Sequence, residues 1–362
     1  MTRIFLTGAS GYIGGDVLHL LLKSHPEYHV RTLIRDESKG AAITDAFSQV
    51  EIVHGSLDDT DVIVKEVQGA DIVLRASNRL PAFDLAATGH LKSVQTIYEA
   101  LSNKPKGSKS PYYIQISGAS LLAAGELADK VRVFGSGSDV IYNDLTGVES
   151  IKSFIRQYPN RAVDNYILSA NERDSPVKTA LVVPPIIYGQ ARGPGNQRSM
   201  QIPDLANATL KRQRGLQVGT GESRWGNIHI QDLSRIFLRL IEKASEGNQD
   251  DNIWGANGIF FTGAGEMSFS DISRRVATAA HDFNLIPSNE VDQVNADEID
   301  QLIPRGSVLL GTNARAGANR AKATLDWELE MESLEEHIPQ AVINEARALD
   351  MKGKHLVLIG DF

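Results

Sequence analysis

The stretch RIFLTGASGYIGGDVLHLLLKS, residues 3–24, decides the fold. RIFLTG (3–8) is a short apolar run of strand type, and YIGGDVLHLLLKS (12–24) places Ile13, Val17, Leu20, Leu21 and Ser24 at helical spacing. Between and just beyond them stand Gly8, Gly11 and Gly14. The first glycine permits a tight turn, the second lets the backbone approach a pyrophosphate, and the third lets the helix pack closely against the strand. Phosphates then sit on the helix N-terminus, where unpaired N–H groups and the helix dipole favour negative charge. Three glycines alone would define only a turn; strand, loop and helix in this order define a dinucleotide-binding turn.

Working outward, HVRTLIR (29–35), VEIVHG (50–55), ADIVLRA (70–76) and YYIQIS (112–117) read as further strands, separated by helical segments around 59–68 and 84–102. Five strand–helix steps predict a Rossmann-like α/β fold, a doubly wound parallel sheet covered on both faces. SNKPKGSKSP (102–111) is a surface loop, and residues 118–160 have weak periodicity and define no element. A helix near 162–173 and the strand VKTALVV (177–183) resume the order, before the turn-rich PPIIYGQARGPGNQ (184–197). From residue 200 strands are fewer and helices longer: helices at 204–213, from near Asp232, near 270–284 and near 333–348, with strands at 216–218 and 258–263. The reading is a dinucleotide-binding domain over 1–199, interleaved with a smaller, mainly helical substrate domain over 200–350. HLVLIGDF (355–362), in the segment 351–362, is an edge strand or a tail.

The second strand ends in Ile34-Arg35-Asp36. An acidic residue near this point accepts from the ribose hydroxyl of NAD, whereas an arginine accommodates the 2′-phosphate of NADP. Arg35 comes first, so NADP(H) is expected over NAD(H), with Asp36 as a helix cap.

Composition removes other chemistries. The chain has 362 residues and no cysteine, which excludes disulfides, Cys-ligated zinc, iron–sulfur clusters and a thiol nucleophile. With 37 Lys plus Arg against 45 Asp plus Glu the net charge is −8, and the basic residues form no stripe, so nucleic acid is not an expected partner. Neither a membrane-length apolar run nor a signal peptide is present, and a cytoplasmic protein is the expectation. The nine histidines contain no His-Glu-x-x-His, and no metal site is expected.

The spacing Thr-Gly-x-x-Gly-x-x-Gly from Thr7 to Gly14 resembles the extended short-chain dehydrogenase/reductase family, the NAD-dependent epimerase/dehydratase group. Other landmarks follow in order. VHGSLDD (53–59) is similar to the third-strand turn, with Ser56 where an acidic residue usually meets the adenine; ADIVLRAS (70–77) resembles the fourth strand, and VVPPIIYGQ (182–190) the Pro-x-x-x-Tyr-Gly segment beside the nicotinamide. VGTGESRWGNIHIQDLSRIF (218–237) resembles the substrate-domain signature through His229 and Asp232, and ANRAKATLDWELEMESLEEHI (318–338) the closing segment, with Asp326 replacing a glycine. GPGNQRS (193–199) is similar to a branch of uncharacterised fungal epimerase-like proteins. The resemblance implies a cofactor site of Thr7, Gly8, Ser10, Gly11, Tyr12, Ile13, Gly14, Arg35, Ser56, Leu57, Ala76, Ser77, Pro184 and Ile187. It is compatible with a homodimer.

The family's proton transfer rests on a tyrosine and a lysine four residues later. None of the nine tyrosines here is followed at that distance by lysine, and RAVDNYILSANE (161–172), the helix that should carry the pair, has no lysine. Candidate replacements are Tyr142, with Asp139 and Asp144 nearby, and Tyr166, although aromatic packing is the commoner role for such residues; Ser117 and Ser120 lie at the end of the fifth strand. Arg192, Asn196, Gln197 and Arg224 are candidate substrate ligands, the first three in a polar loop. His229 before Asp232 reads as structural, with Asp232 the cap of the next helix. Two functions remain open. One is an NADP(H)-binding enzyme, oxidoreductase or isomerase, acting on a small organic molecule of secondary metabolism by reduction or by redox-neutral isomerisation, dehydration or cyclisation. The other is a non-catalytic dinucleotide sensor, resembling nitrogen-metabolite-repressor-like proteins.

Overall fold

Seven parallel strands form the centre of the computed structural model, which describes residues 1–76, 90–105 and 109–351. They are β1 (Arg3–Thr7), β2 (His29–Ile34), β3 (Glu51–His54), β4 (Ile72–Arg75), β5 (Tyr112–Ile116), β6 (Lys178–Val183) and β7 (Ile259–Phe261). Their spatial order is β7-β6-β5-β4-β1-β2-β3, so the connections reverse direction between β1 and β4. That switch point opens a crevice at the carboxyl ends of the strands, where open α/β sheets bind ligands.

The alternation of side chains explains why the strands are apolar runs. Ile4, Leu6, Ile72, Leu74, Ile114, Ala180, Val182 and Phe260 face one core, while Phe5, Val73, Tyr113, Leu181 and Phe261 face the other. Helices cover both faces, so every position in β4 and β5 is buried, and all but Arg75 and Gln115 are apolar or aromatic. The helix Tyr12–Ser24 packs on Ile230–Ser245 over one face, and Thr60–Gly69 packs on Leu91–Ser102 over the other.

The C-terminal region is smaller and more helical, and it is threaded through the sheet. Gly265–Ser268, Arg224–His229 and Ile186–Tyr188 form a three-stranded sheet, and Val291–Val294 pairs with Gly215–Val218. Helices Gln201–Arg212, Phe269–Asp282 and Leu334–Ala348 pack on one another. β7, from this half of the chain, returns to pair with β6.

Residues 118–160, without a legible period, are broken into short pieces. They contain a 3-10 turn at Ala119–Leu121, helices Ala124–Ala128 and Val148–Arg156, and a two-residue strand Tyr142–Asn143 paired with Ala316–Gly317. Each piece is too short to display a hydrophobic period. The expected tail or strand at 355–362, and the start of the helix expected from 84, lie outside the described residues.

One helix start differs from expectation. The helix expected from Asp232 begins at Ile230, and its cap is His229, whose Nδ1 accepts from Gln231 N at 3.2 Å. Asp232 is buried one turn inside, accepting from Arg235 and from Glu330 N at 3.2 Å. A side chain beyond the usual Ser, Thr, Asp or Asn set therefore does the capping, which a rule based on those four misses.

Asp144 ties the irregular segment to both halves. Its fully buried carboxylate accepts from Phe261 N (2.9 Å), Asn319 N (2.7 Å) and Arg320 N (3.0 Å), and Arg320 Nε donates to its carbonyl at 2.9 Å. Asp144→Ala strands three backbone N–H groups and should cost about 3 kcal/mol or more in urea unfolding. The exposed Asp139→Ala, five residues earlier, should stay within about 0.5 kcal/mol of the parent.

Candidate dinucleotide and substrate site

The glycine turn has the geometry its sequence demands. Gly8 sits at φ +89°, a conformation that L side chains rarely adopt, and Gly11 N closes the turn on the Gly8 carbonyl at 2.9 Å. A Cβ on Gly14 would lie 2.3 Å from the Gly8 carbonyl oxygen, so only glycine lets the helix approach the strand. Gly11 is the N-cap and supplies no side-chain acceptor, and the first turn carries no acid. The leading N–H groups of this 13-residue helix thus face outward without a side-chain cap, which fits a pyrophosphate.

Strand register aligns the rest of the expected cofactor site along one edge. Thr7 pairs with Leu33 and with Arg75, Ala76 N donates to the Thr7 carbonyl at 3.1 Å, and Gly55 N donates to the Ile34 carbonyl at 3.1 Å. Gly8, Arg35, Ser56, Leu57 and Ala76 therefore leave adjacent strands at their carboxyl ends. Ser56 is held in a turn, its N–H donating to Asp59 Oδ2 at 2.6 Å. Pro184 is buried and accepts through its carbonyl from Ala119 N at 2.9 Å, while Ile187 is half-buried in the strand Ile186–Tyr188. Ser77 lies outside the described residues.

The loop after Tyr188 is fastened onto the glycine turn. Gly193 and Gly195 abut Gly15 and Ser10 so closely that added Cβ atoms would lie 2.6 Å from Gly15 Cα and 2.2 Å from the Ser10 carbonyl oxygen. Asn196 N donates to that same carbonyl at 3.1 Å, and Tyr12 Oη donates to the Gly189 carbonyl at 2.6 Å. Burial and the nearby Asp16 charge push the Tyr12 phenol well above its ordinary pKa, keeping it a donor.

Asp16 is the anchor of this contact. It is fully buried, and its carboxylate accepts from Arg192 N (2.8 Å), Arg192 Nε (2.9 Å), Arg192 Nη2 (2.7 Å) and Ser234 Oγ (2.7 Å). Burial alone would raise its pKa, but the Arg192 and Ser234 bonds outweigh it and hold the carboxyl below its ordinary value. Arg192 is thus engaged with the protein itself. Gln197 Nε2 donates to the Gly193 carbonyl at 2.8 Å, and Asn196 Nδ2 to the Arg198 carbonyl at 3.1 Å, so the loop's polar side chains largely hold the loop. Arg224 leans toward Glu266, 3.9 Å away, while its N–H donates to Asn313 Oδ1 at 2.9 Å.

The candidate catalytic side chains do not converge. Tyr142 packs at a tilt against Phe154 with ring centroids 5.1 Å apart, in the two-stranded patch, and burial raises its pKa. Tyr166 packs edge-on against Tyr98 (6.0 Å) under the Arg173 guanidinium. Tyr98 and Arg173 line a cavity of about 340 Å³ with Lys178, the first residue of β6, so Tyr166 belongs to the opposite end of the sheet from the crevice. Ser120 lies in the 3-10 turn after β5, whereas Ser117 is buried directly at the end of β5.

Ser117 reveals residues that the search for tyrosine and lysine passed over. Arg161 Nη2 donates to Ser117 Oγ at 3.1 Å, and Arg161 pairs with Asp164 through Nε at 2.7 Å and Nη2 at 2.6 Å. Both partners are buried at the start of the helix Ala162–Ala170, the one expected to carry the missing pair. Asn165, four residues after Arg161, bonds only backbone carbonyls, including Ile155 and Tyr158 at 3.2 and 3.0 Å. The signal was present as a charged pair i, i+3 at the head of that helix. Among the described residues no group of three or more His, Cys, Asp and Glu is placed to hold a metal, and no helix is long and apolar enough to cross a membrane.

Fold and glycine turn together define a dinucleotide-binding protein, and comparison with known proteins gives its family. An NmrA-like family model matches residues 1–96. The chain is 30% identical to oxidase ucsJ from an Acremonium species over 356 residues, which is 96% of this chain and 99% of the relative. It is 24% identical to an uncharacterized protein of Saccharomyces cerevisiae, over 72% of this chain and 76% of that one. Among solved structures, UDP-glucuronic acid 4-epimerase from Bacillus cereus, in complex with UDP-glucuronic acid and NAD, superposes with a TM-score of 0.63 at 16% identity, covering 96% of this chain and all of the other. The chain belongs to the family of that oxidase, its first 96 residues matching the NmrA-like model, and it shares the fold of the epimerase.

The expectation of NADP from Arg35 is corrected by these relatives. Where the names of solved structures sharing the fold state a dinucleotide, it is NAD. The local geometry gives a reason: Arg35 is exposed, and beside it the Asp36 carboxylate caps the helix Glu37–Ala46, accepting from Lys39 N at 3.2 Å and Ser38 Oγ at 2.6 Å. A fixed carboxylate next to the arginine opposes a 2′-phosphate.

Arg192→Ala leaves the buried Asp16 carboxylate with one side-chain donor and should cost about 3 kcal/mol in chemical unfolding. The pH dependence follows from the sign of the shift. Because the folded pKa of Asp16 is depressed, its contribution is present above the unfolded value and lost as pH falls through the folded one. In Arg192→Ala burial dominates and lifts the folded pKa above the unfolded one, so the sign reverses: the variant's deficit in chemical unfolding should be largest at neutral pH and shrink on acidification, as the buried carboxylate protonates.

Proposed function

We propose that the protein is an NAD(H)-dependent oxidoreductase acting on a small organic molecule in the crevice at the carboxyl ends of β1, β4 and β5. The observation that carries this reading is the glycine turn, whose left-handed Gly8, Cβ-excluding Gly14 and uncapped helix start fit a pyrophosphate. The near full-length similarity to an oxidase supports redox chemistry over a redox-neutral rearrangement.

Bound NAD would supply the hydride acceptor. The chain's own residues have narrower tasks. Gly8, Gly11 and the N–H groups of Tyr12 and Ile13 hold the phosphates, and Ala76 and Pro184 border the crevice. Arg161 donates to Ser117 Oγ and so polarises that hydroxyl toward donating in turn. An arginine stays charged at neutral pH and moves no proton, so Arg161 orients Ser117 and stabilises negative charge near it. Asp164 fixes the Arg161 fork and keeps the pair neutral as a unit.

A second reading, a dinucleotide sensor without turnover, is favoured by the absent Tyr-x-x-x-Lys pair and by the NmrA-like match. Two measurements separate the outcomes. Calorimetric titration should show one NAD bound per chain, NADP at least about tenfold weaker, and no NAD binding in Gly14→Ala; equal affinity for NADP would overturn the cofactor choice. Absorbance at 340 nm, with NAD and a panel of secondary alcohols, should rise with the parent and fall at least about a hundredfold in Arg161→Met. NAD binding without any such turnover across the panel would favour the sensor.

A further inference from the structure

His229 is tied to the glycine turn through a single intervening residue. The edge of its ring lies against Gly189, where a Cβ would stand 2.2 Å from His229 Nε2, and Gly189 itself is left-handed at φ +93°. The Gly189 carbonyl accepts the Tyr12 hydroxyl at 2.6 Å, and Tyr12 opens the helix that follows Gly11. On its other side the same ring caps the helix Ile230–Ser245, its Nδ1 accepting from Gln231 N at 3.2 Å. A backbone N–H can only donate, so Nδ1 carries a lone pair and the ring is neutral, with its proton on Nε2. An imidazolium would set a second N–H against that of Gln231 and a positive charge at the positive end of a 16-residue helix. The cap is then lost, and a ring that turns away from Gln231 also withdraws the edge that packs on Gly189.

The acids around the ring are already engaged. Tyr188 and His337 pack edge-on against it, with ring centroids 5.4 and 6.1 Å away. Tyr188 Oη donates to the Glu332 carbonyl at 2.8 Å, and His337 Nδ1 meets Glu332 Oε1 at 2.8 Å. Asp232 is paired with Arg235, Asp16 with Arg192, and Glu336 accepts from Ser333 N at 2.8 Å. Asp232, Glu332 and Asp16 favour a charged ring, but burial, reinforced by the nearby His337, outweighs them and holds His229 below the ordinary histidine pKa. We propose that His229 is a positioning residue of the dinucleotide turn, holding Gly189 under the Tyr12 hydroxyl as a neutral imidazole, and that its protonation in mild acid loosens the turn and lowers the affinity for NAD. This response rests on the turn being the NAD site and adds the residue that makes the site sensitive to pH.

The test titrates NAD into the full chain by calorimetry from pH 7.5 to pH 5 at constant ionic strength. The parent's affinity should fall at least about threefold over that range, steepening toward the one-proton limit of about tenfold per pH unit. His229→Ala, which removes the cap, should bind about fivefold more weakly at pH 7.5. His229→Asn restores an acceptor that does not titrate; it should recover part of that loss and change less than about twofold across the range. A merely structural histidine would leave the pH profile of the Asn variant parallel to the parent's, and parallel profiles would overturn the proposal. Nitrogen-15 spectra of the imidazoles, with the His229 signals assigned by their loss in His229→Asn, give a readout without ligand. They should show the proton on Nε2 at pH 7.5 and a titration below the ordinary histidine range. A proton on Nδ1, or a midpoint at or above that range, would also overturn it. Failure of the parent to bind NAD at pH 7.5 would remove the NAD reading and the proposal together, whereas binding there with parallel profiles removes the proposal alone.

Discussion

A single buried carboxylate holds the cofactor edge together. Asp16 lies one turn into the helix that begins at the glycine turn, where its negative charge would oppose a pyrophosphate and where burial without partners would be prohibitive. Three donors of Arg192 and the Ser234 hydroxyl remove both problems. The same bonds join the cofactor helix, the loop after Tyr188 and the helix Ile230–Ser245. The clamp of Gly193, Gly195 and Asn196 over Ser10 and Gly15 follows from that joint, because Arg192 delivers the loop at the distance at which only glycine fits.

That dependence recasts the chemistry of the crevice. The family's usual proton-transfer pair is missing, and at the head of the corresponding helix stands a buried arginine paired with an aspartate and reaching Ser117. Such a group fixes and stabilises charge and does not carry protons. The uncapped helix start at the glycine turn likewise offers N–H donors.

Most of the fold was legible because burial on both faces leaves a plain mark: continuous apolar runs for β1, β4, β5 and β6, interrupted by helical periods. The glycine turn was legible because its constraints are local, a positive φ and a missing Cβ. The clamp was not. Arg192 meets Asp16 across 176 positions, and a polar loop rich in Arg, Asn and Gln looks the same whether it binds substrate or itself. The 118–160 region was opaque since its pieces are held by distant groups, as Asp144 is by Phe261 and Asn319. Arg161 escaped for a third reason: a search for tyrosine cannot find the arginine in that neighbourhood, and its link to Ser117 spans 44 positions.

The central claim, that the glycine turn and its clamp form one dinucleotide-holding unit, is tested most directly by hydrogen–deuterium exchange with and without NAD. The account predicts slowed exchange at Tyr12 and Ile13 together with residues 193–196, and loss of both effects in Asp16→Asn. Protection on NAD addition confined to other segments, or at the glycine turn with no response of the clamp in either protein, would contradict it.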